Sequence, residues 1–182
     1  LISDYSSMIK AMKAAYNNDP YEVWDLTDIK KLIKLFPEGQ ICVTINNEIA
    51  ALSLSIIIDT EETKITSNYA KITDNGKFLK HNSEGDVLYG IEIFVNTEYR
   101  NLRLGRRSYD SRKELCEKLN LKSIMAGGRI PNYHNYANEL TPRQYIDKVK
   151  QKEIYDPTLS FQLSNDFYVK KILKKYLPED AE

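Results

Sequence analysis

The stretch from Ile91 to Leu119 most constrains the fold, because its hydrophobic period changes from that of a strand to that of a helix. Ile91, Ile93 and Val95 alternate with other residues, a spacing that predicts a strand. From Leu104 onward, the pattern recurs three, four or seven residues apart, as on one helical face. The predicted buried face of this helix consists of Leu104, Ser108, Tyr109, Leu115, Cys116 and Leu119.

A basic turn joins the two patterns, from Tyr99 to Arg107. A helix that begins there directs unpaired backbone N–H groups and the positive end of its dipole at whatever lies in front of it. Arg100, Arg103, Arg106 and Arg107 add positive charge at the same place. These features predict a site for a phosphate-bearing ligand. A solvated basic turn before an ordinary amphipathic helix is the alternative.

The same turn resembles the acetyl-CoA-binding motif of the GNAT acyltransferases, Arg/Gln-x-x-Gly-x-Gly/Ala at the start of a helix that follows a strand. Arg100 matches the first position and Gly105 the last, whereas Arg103 stands where the family has glycine. Residues 106–137 also resemble a GNAT subgroup that is often fused to a carbon–nitrogen hydrolase domain. The resemblance runs from about Asp4 to Pro178 and is strongest after Ile91.

The remaining elements predict an α/β (α+β) fold. The periodicity, turn and capping signals give these elements in chain order: helices Tyr5–Tyr16 (capped by Ser3-Asp4) and Thr27–Leu35, strands Ile41–Ile45 and Ile49–Ile58, a short helix Tyr69–Ile72, strand Leu88–Val95, the motif helix, strand Lys122–Ala126, helices Pro142–Lys152 and Pro157–Ser164, and strand Phe167–Leu173. The resemblance implies one GNAT-like domain over residues 1–182. Its mixed, mostly antiparallel sheet would be flanked by helices, with edge strands expected before Leu1 and after Pro178.

Composition excludes some classes of function. The 182 residues include 26 basic and 26 acidic side chains, so a general nucleic-acid binder, which carries a basic surplus, is not expected. No apolar run approaches the roughly 18 residues of a membrane helix. Cys42 and Cys116 each lie in an apolar pattern without metal-ligand spacing, which predicts buried thiols, a reducing cytoplasmic compartment and no metal.

The resemblance implies acetyl-CoA as acyl donor and a primary amine of a small molecule or protein as acceptor, with a homodimer left open. The expected acetyl-CoA-binding residues are Phe94, Val95, Arg100, Asn101, Leu102, Arg103, Leu104, Gly105 and Arg106. Backbone groups of the turn would hold the pyrophosphate, and those of Phe94 and Val95 would polarise the thioester and pair with the pantetheine arm. Arg103 fits this role if its φ is negative.

Glu92 is the expected general base, projecting from the strand to the face opposite Ile91 and Ile93. A strand glutamate that faces solvent or pairs with a lysine is the alternative. Many family members protonate the leaving thiolate with a tyrosine, but that position is Gln162 here. The acid would then be another group. Candidate residues are Tyr133, His134 and Tyr168, with solvent as a further option.

The connection from Gly127 to Asp156 is long and predicts one wall of an acceptor site, with Tyr21 and Trp24 as the opposite wall. Arg129 would bind an acidic substrate group or pair with a glutamate. A different class of function also remains open. The chain would then bind acyl-CoA without turnover, as a sensor or regulatory module, which the missing tyrosine and the substituted glycine favour.

Overall fold

The structure is a computed structural model, and it describes residues 2–16, 24–61, 68–174 and 176–177. The fold divides into two compact units, residues 1–126 and residues 127–182. The predicted wall residue Tyr21 lies outside the described residues.

The first unit carries one sheet and four helices among the described residues. The helices are α1 (Tyr5–Ala15), α2 (Leu26–Leu35), α3 (Tyr69–Thr73) and α4 (Leu104–Lys118), and the strands are β1 (Ile41–Ile45), β2 (Glu48–Ile58), β3 (Val87–Val95) and β4 (Ser123–Ala126). Short 3₁₀ turns cover Ile2–Asp4, Pro37–Gly39 and Thr97–Tyr99. Asn46 and Asn47 both have positive φ in the β1–β2 hairpin, as predicted for that turn.

The sheet has the strand order β1-β2-β3-β4, with antiparallel pairs except for the parallel pair β3–β4. A mixed, mostly antiparallel sheet was the prediction, and it is confirmed. The β3–β4 pairing covers only Val87–Gly90. Beyond Gly90, no described strand of the first unit pairs with β3 on that side, so the edge of residues 91–95 is open.

A bulge interrupts the pairing of β2 with β3 at this point. Leu54 lies opposite Glu92 and Ser55 lies opposite Gly90, so Ile91 is an extra residue without a partner. Such a bulge breaks the ladder of hydrogen bonds and re-aims the side chains that follow it. The prediction that Ile91, Ile93 and Val95 share one face is therefore wrong. Ile91 packs with the α1–α2 cluster, whereas Val95 packs with Leu104 of α4.

Helices cover both faces of the sheet. One face packs against α1, α2 and α3 through a cluster that includes Met12, Leu32 and Phe78. The other face packs against α4, where Leu115 and Cys116 contact Leu88. Burial of this apolar surface supplies most of the driving force for folding. Both faces of β2 are covered, which explains its almost continuous hydrophobic run.

The regular elements described in the second unit are helical: a 3₁₀ turn Pro131–Asn135 and helices α5 (Pro142–Lys150) and α6 (Pro157–Leu163). Thr141 caps α5 in a capping box with Gln144, and Asp156 caps α6. Both caps precede a proline at the first helical position, as the sequence predicts. None of the described helices combines the length and the apolar character needed to cross a bilayer.

Several local predictions are wrong. Residues 167–173 form no strand, because a strand needs a neighbour to pair with and none is placed beside them in the described residues. The predicted element order therefore does not end in a strand. Cys42 is exposed on β1 rather than buried, and Leu119 is 38% exposed at the end of α4. No side chain of Ser3 or Asp4 caps α1.

Candidate active site

The turn before α4 has a left-handed backbone at two positions. Asn101 has φ 71° and Arg103 has φ 57°, and Arg103 is the residue that precedes the helix. The condition under which Arg103 fits the donor role, a negative φ, is therefore not met. A left-handed conformation costs a non-glycine residue about 1–2 kcal/mol. The chain keeps the backbone that glycine favours although it carries arginine there.

The N-terminus of α4 is not capped by any side chain. The first N–H groups of a helix have no partner within the helix, and Leu104, Gly105 and Arg106 supply such groups here. Leu104 fixes the position of this turn, because its side chain is buried against Ala50 and Ala51. The described geometry thus directs free backbone donors and the positive end of a 15-residue helix away from the core.

Two of the arginines add charge at this end, and another has a structural contact. Arg106 and Arg107 are exposed on the first turn of α4. Arg100 donates from Nη2 to the carbonyl oxygen of Ala15 at 3.1 Å, so its guanidinium satisfies the last turn of α1. Its backbone remains in an extended conformation beside the turn. Asn101 and Leu102 are exposed between these arginines.

Phe94 and Val95 lie at the open end of β3. They pair with Leu52 and Ala51 of β2 on one side, and their other side belongs to the open edge of residues 91–95. An open strand edge presents backbone N–H and C=O groups to any extended ligand. The open edge and the N-terminus of α4 are joined by only eight residues, 96–103.

Glu92 lies on the same side of the sheet as Ile91, because the bulge re-aims it, so the expectation that it opposes Ile91 is wrong. Its carboxylate is half-buried and accepts from the Tyr16 hydroxyl at 2.6 Å, the Ile93 N–H at 2.9 Å and the Trp24 indole N–H at 3.4 Å. It therefore does not simply face solvent. Burial raises the pKa of Glu92, and these hydrogen bonds oppose that shift.

Arg112 is a buried side chain that the sequence interpretation passed over. It is only 1% exposed, and its guanidinium contacts the bulge from the α4 side. Burial lowers the pKa of Arg112 to about 10. The available signal was an arginine four residues after Ser108 and eight after Leu104, in the apolar stripe of an amphipathic helix.

The predicted catalytic residues Tyr133 and His134 belong to the second unit, in the 3₁₀ turn Pro131–Asn135. The Tyr133 hydroxyl donates to the carbonyl oxygen of Leu140 at 2.9 Å, and its ring packs edge-on against Tyr145. His134 is exposed, and its Nδ1 lies 2.7 Å from the carbonyl oxygen of Pro131. The roles given to these residues remain predictions.

Two other positions from the family pattern also lie in the second unit. Gln162 is half-buried beside Gly128, where a Cβ on residue 128 would collide with its amide. Tyr168 is 78% exposed. Among the described residues, no group of three or more His, Cys, Asp or Glu side chains has the geometry to hold a metal ion.

No family model matches the chain. A Bacillus subtilis protein named "Probable hydrolase YhcX" is 44% identical over 160 residues, which are 88% of this chain but only 31% of that protein. A second B. subtilis protein, "Uncharacterized N-acetyltransferase YkwB", is 34% identical over 160 residues, 88% of this chain and 70% of the relative.

Solved structures agree on the fold. The loading GNATL domain of CurA from Lyngbya majuscula matches with a TM-score of 0.82 at 21% identity, covering 98% of this chain and 87% of that chain. The GphF GNAT-like decarboxylase in complex with isobutyryl-CoA matches with a TM-score of 0.76 at 17% identity, covering 99% and 89%. An aminoglycoside acetyltransferase from an uncultured soil metagenomic sample has a TM-score of 0.59 at 10% identity, covering 97% and 88%.

These comparisons place the chain among the acyltransferases with the GNAT fold. The chain belongs to the GNAT family, since its 34% identity extends over more than two thirds of a relative named as an N-acetyltransferase. The chain spans about a third of the length of the probable hydrolase, so that protein's name does not assign hydrolysis to these residues.

Proposed function

We propose that this protein is an N-acetyltransferase that transfers an acetyl group from acetyl-CoA to a primary amine of a small molecule or protein. One observation carries the proposal: an uncapped helix N-terminus follows, within eight residues, an open strand edge that bears a half-buried carboxylate. The helix end suits the pyrophosphate of the donor, and the strand edge suits its extended pantetheine arm. Family membership supports the reaction class.

The backbone groups at the open edge would act on the thioester. An N–H of Phe94 or Val95 that faces the thioester would stabilise its carbonyl oxygen as charge develops there, typically worth about 3–4 kcal/mol of barrier. The amine nitrogen then attacks the carbonyl carbon, and the carbon–sulfur bond breaks. The protein must therefore remove a proton from the ammonium and supply one to the leaving thiolate.

Glu92 is our candidate for the base that accepts the ammonium proton, directly or through water. Burial raises the pKa of its carboxyl toward neutral pH, where a general base is most effective. Tyr133 and His134 stay candidates for the acid or for acceptor recognition, since the family tyrosine is replaced by Gln162. We further propose that residues 1–182 form one cytoplasmic GNAT domain.

An acyl-CoA-binding module without turnover is the second candidate function. The glutamine at position 162 and the arginine at position 103 favour it, because each replaces the residue of the family pattern. Binding alone requires only the helix end and the strand edge. Both candidates therefore predict that the protein binds acyl-CoA, and they differ in turnover.

Calorimetric titration with acetyl-CoA tests the binding step. We expect wild type to bind and Gly105→Glu to lose binding, because a carboxylate at the helix N-terminus repels the pyrophosphate. Ser111→Glu is the matched control, since it adds the same charge farther along α4 and should bind like wild type. A folded wild type that binds neither acetyl-CoA nor isobutyryl-CoA would refute both candidate functions.

Turnover separates the two candidates. Release of free CoA is followed with a panel of amines, and each product is identified by mass spectrometry. Acetylated amine supports the transferase, and Glu92→Gln should then lower kcat by at least about 100-fold with binding retained. Binding without product from any amine favours the sensor. An isobutyryl-CoA arm reports a preference for a branched acyl group, which the complex of the GphF neighbour suggests testing.

A further inference from the structure

Arg112 extends from α4 into the sheet and binds both sides of the bulge. Its Nη2 donates to the carbonyl oxygen of Leu54 at 2.7 Å and to that of Glu92 at 2.6 Å, and its Nε donates to the Ser55 hydroxyl at 3.1 Å. Leu54 lies opposite Glu92 in the register, immediately before the irregularity. One guanidinium therefore joins the two strands where their ladder is broken.

A bulge disturbs the backbone pairing of the carbonyl groups beside it, and buried carbonyl groups are rarely left without a donor. Arg112 supplies N–H donors to the carbonyls of Leu54 and Glu92. The chain leaves space for this arrangement at Gly90. A Cβ at that position would lie 3.0 Å from Nη1 and 3.2 Å from Cζ of Arg112.

Burying a guanidinium is costly, and an apolar side chain of similar volume would fill the same space without that cost. An arginine at this buried position therefore indicates that its donors and its charge act on the groups around it. Arg112 binds the backbone of Glu92 itself, and its positive charge favours the ionised carboxylate of that residue. Gly90 contributes room, Leu54 and Ser55 contribute acceptors, and all of these contacts converge on the bulge.

We propose that Arg112 is a positioning residue for the transfer reaction: by binding the Leu54 and Glu92 carbonyls, it fixes the bulge and aims the Glu92 carboxylate. The proposal deepens the proposed function, because it relies on Glu92 as the base. Arg112 acts through the backbone from the α4 side of the sheet, whereas Tyr16 and Trp24 contact the carboxylate from the other side.

The groups around Glu92 limit what can change its titration. Tyr16 on α1 donates to the carboxylate, and Tyr69 on α3 has its hydroxyl 3.5 Å from the carbonyl oxygen of Ile91. Arg112 on α4 is the cation whose charge favours the ionised form of Glu92. Leu54, the β2 residue opposite Glu92, is apolar, and its neighbours Ser53 and Ser55 carry no charge. A change in the Glu92 titration after mutation at Arg112 therefore reports on Arg112 itself.

The test follows the Glu92 carboxyl by carbon-13 NMR titration, with the signal assigned by its loss in Glu92→Gln. Arg112→Met should move the midpoint to higher pH and lower kcat/KM at pH 7 by about 10- to 100-fold. Arg112→Lys should restore part of both, because it returns the charge but not the forked donors.

Ser55→Ala and Gly90→Ala keep the proposal testable if Arg112→Met does not fold. The first removes one acceptor of the guanidinium, and the second displaces the guanidinium by adding a methyl group. Both should perturb the Glu92 titration and lower kcat/KM. Ser53→Ala is the control, because Ser53 is equally buried two residues away on β2 and its hydroxyl has no hydrogen-bond partner in the described structure.

Folded Ser55→Ala and Gly90→Ala proteins with the wild-type Glu92 titration and wild-type kcat/KM would overturn the proposal, leaving Arg112 a purely structural side chain. Failure of the proposed function looks different. If wild type acetylates no amine, the transferase hypothesis is wrong. If Glu92→Gln keeps full turnover, the assignment of Glu92 as the base is wrong. The NMR titration still decides whether Arg112 positions the carboxylate.

Discussion

Arg103 is one of two left-handed positions in the candidate donor site, and unlike Asn101 it is of a residue type that rarely adopts this conformation. Its φ of 57° costs about 1–2 kcal/mol for a residue with a Cβ. Glycine would remove this strain, but part of the gain in stability would be lost because glycine has more conformational entropy in the unfolded state. We expect Arg103→Gly to raise the free energy of unfolding by up to about 1 kcal/mol. Arg103→Val should lower it by about 1–2 kcal/mol, because a β-branched residue is a genuine outlier there. Urea unfolding measures both changes.

Arg107→Gly is the matched control, since the same substitution at a residue inside α4 should cost about 1 kcal/mol. Opposite signs at positions 103 and 107 would confirm that φ decides the outcome. Equal destabilisation at both positions would mean that the left-handed conformation of Arg103 carries no strain.

The single residues also show how far the sequence alone could go. The turn and its helix were located from the pattern of residues, because strand and helix periods differ, whereas Gly105 was identified by the resemblance to the GNAT motif. The sign of φ at Arg103 could not be predicted and entered only as a condition, since arginine itself gives no signal for a left-handed backbone. The role of Arg112 was missed, because a helical stripe of apolar residues suggests packing and not which strand carbonyls an inserted arginine binds.

At the scale of elements, Asp156 connects the parts of the second unit. Its carboxylate caps α6 through the N–H groups of Thr158 and Leu159, and it also accepts from the Tyr145 hydroxyl at 2.8 Å and the Asn132 N–H at 3.2 Å. Asp156→Ala removes the cap and leaves buried donors without a partner. We expect a loss of about 2–4 kcal/mol in the free energy of unfolding.

Thr141→Ala is the comparison, because Thr141 caps α5 at an exposed position and should cost only about 1 kcal/mol. A double-mutant cycle of Asp156→Asn with Tyr145→Phe then isolates the buried hydrogen bond. Equal losses for the two cap variants, with no coupling in the cycle, would show that Asp156 acts as an ordinary cap and does not join the elements.

Every predicted helix and four of the five predicted strands match the structure to within two residues, and the one failure is a strand. The start of a helix is marked by two adjacent residues, a cap and a proline, in Thr141-Pro142 and Asp156-Pro157. Helices α5 and α6 were therefore predicted to within two residues. A strand depends on a partner that is distant in sequence. The apolar spacing of residues 167–173 therefore predicted a strand wrongly, and the bulge at Ile91 left no sign in the pattern.

Two polar contacts at the end of β2 contribute to the pH dependence of the stability of the first unit. Asp86 pairs with Lys122 at 2.8 Å and accepts from Thr60, and these contacts lower its pKa from 3.8 to about 2. Stability from this carboxylate is present above its ordinary pKa and is lost as the pH falls toward about 2. A loss of stability well above pH 3.8 must therefore come from a group other than Asp86.

His81 is the group that we expect to act nearer neutral pH. Its Nδ1 accepts the Ile57 N–H at 3.1 Å, beyond the last β1–β2 pair, which joins Ile41 to Ser53. Protonation would destroy this acceptor, and burial lowers the pKa of His81 below its ordinary 6.5. The folded state thus favours the neutral ring. Its contribution is complete above pH 6.5 and is lost as the pH falls through the folded pKa.

Unfolding by urea at pH 7.5, 6.0 and 5.0 tests this expectation in wild type and two variants. His81→Asn keeps an acceptor for Ile57 but does not titrate, so it should lose less stability than wild type between pH 7.5 and 5.0. His134→Gln is the control, because it removes the other histidine of the chain, which is exposed, and should follow wild type. If His81→Asn keeps the full wild-type slope, the Ile57 N–H does not depend on a neutral imidazole, and the pH sensitivity of the sheet lies elsewhere.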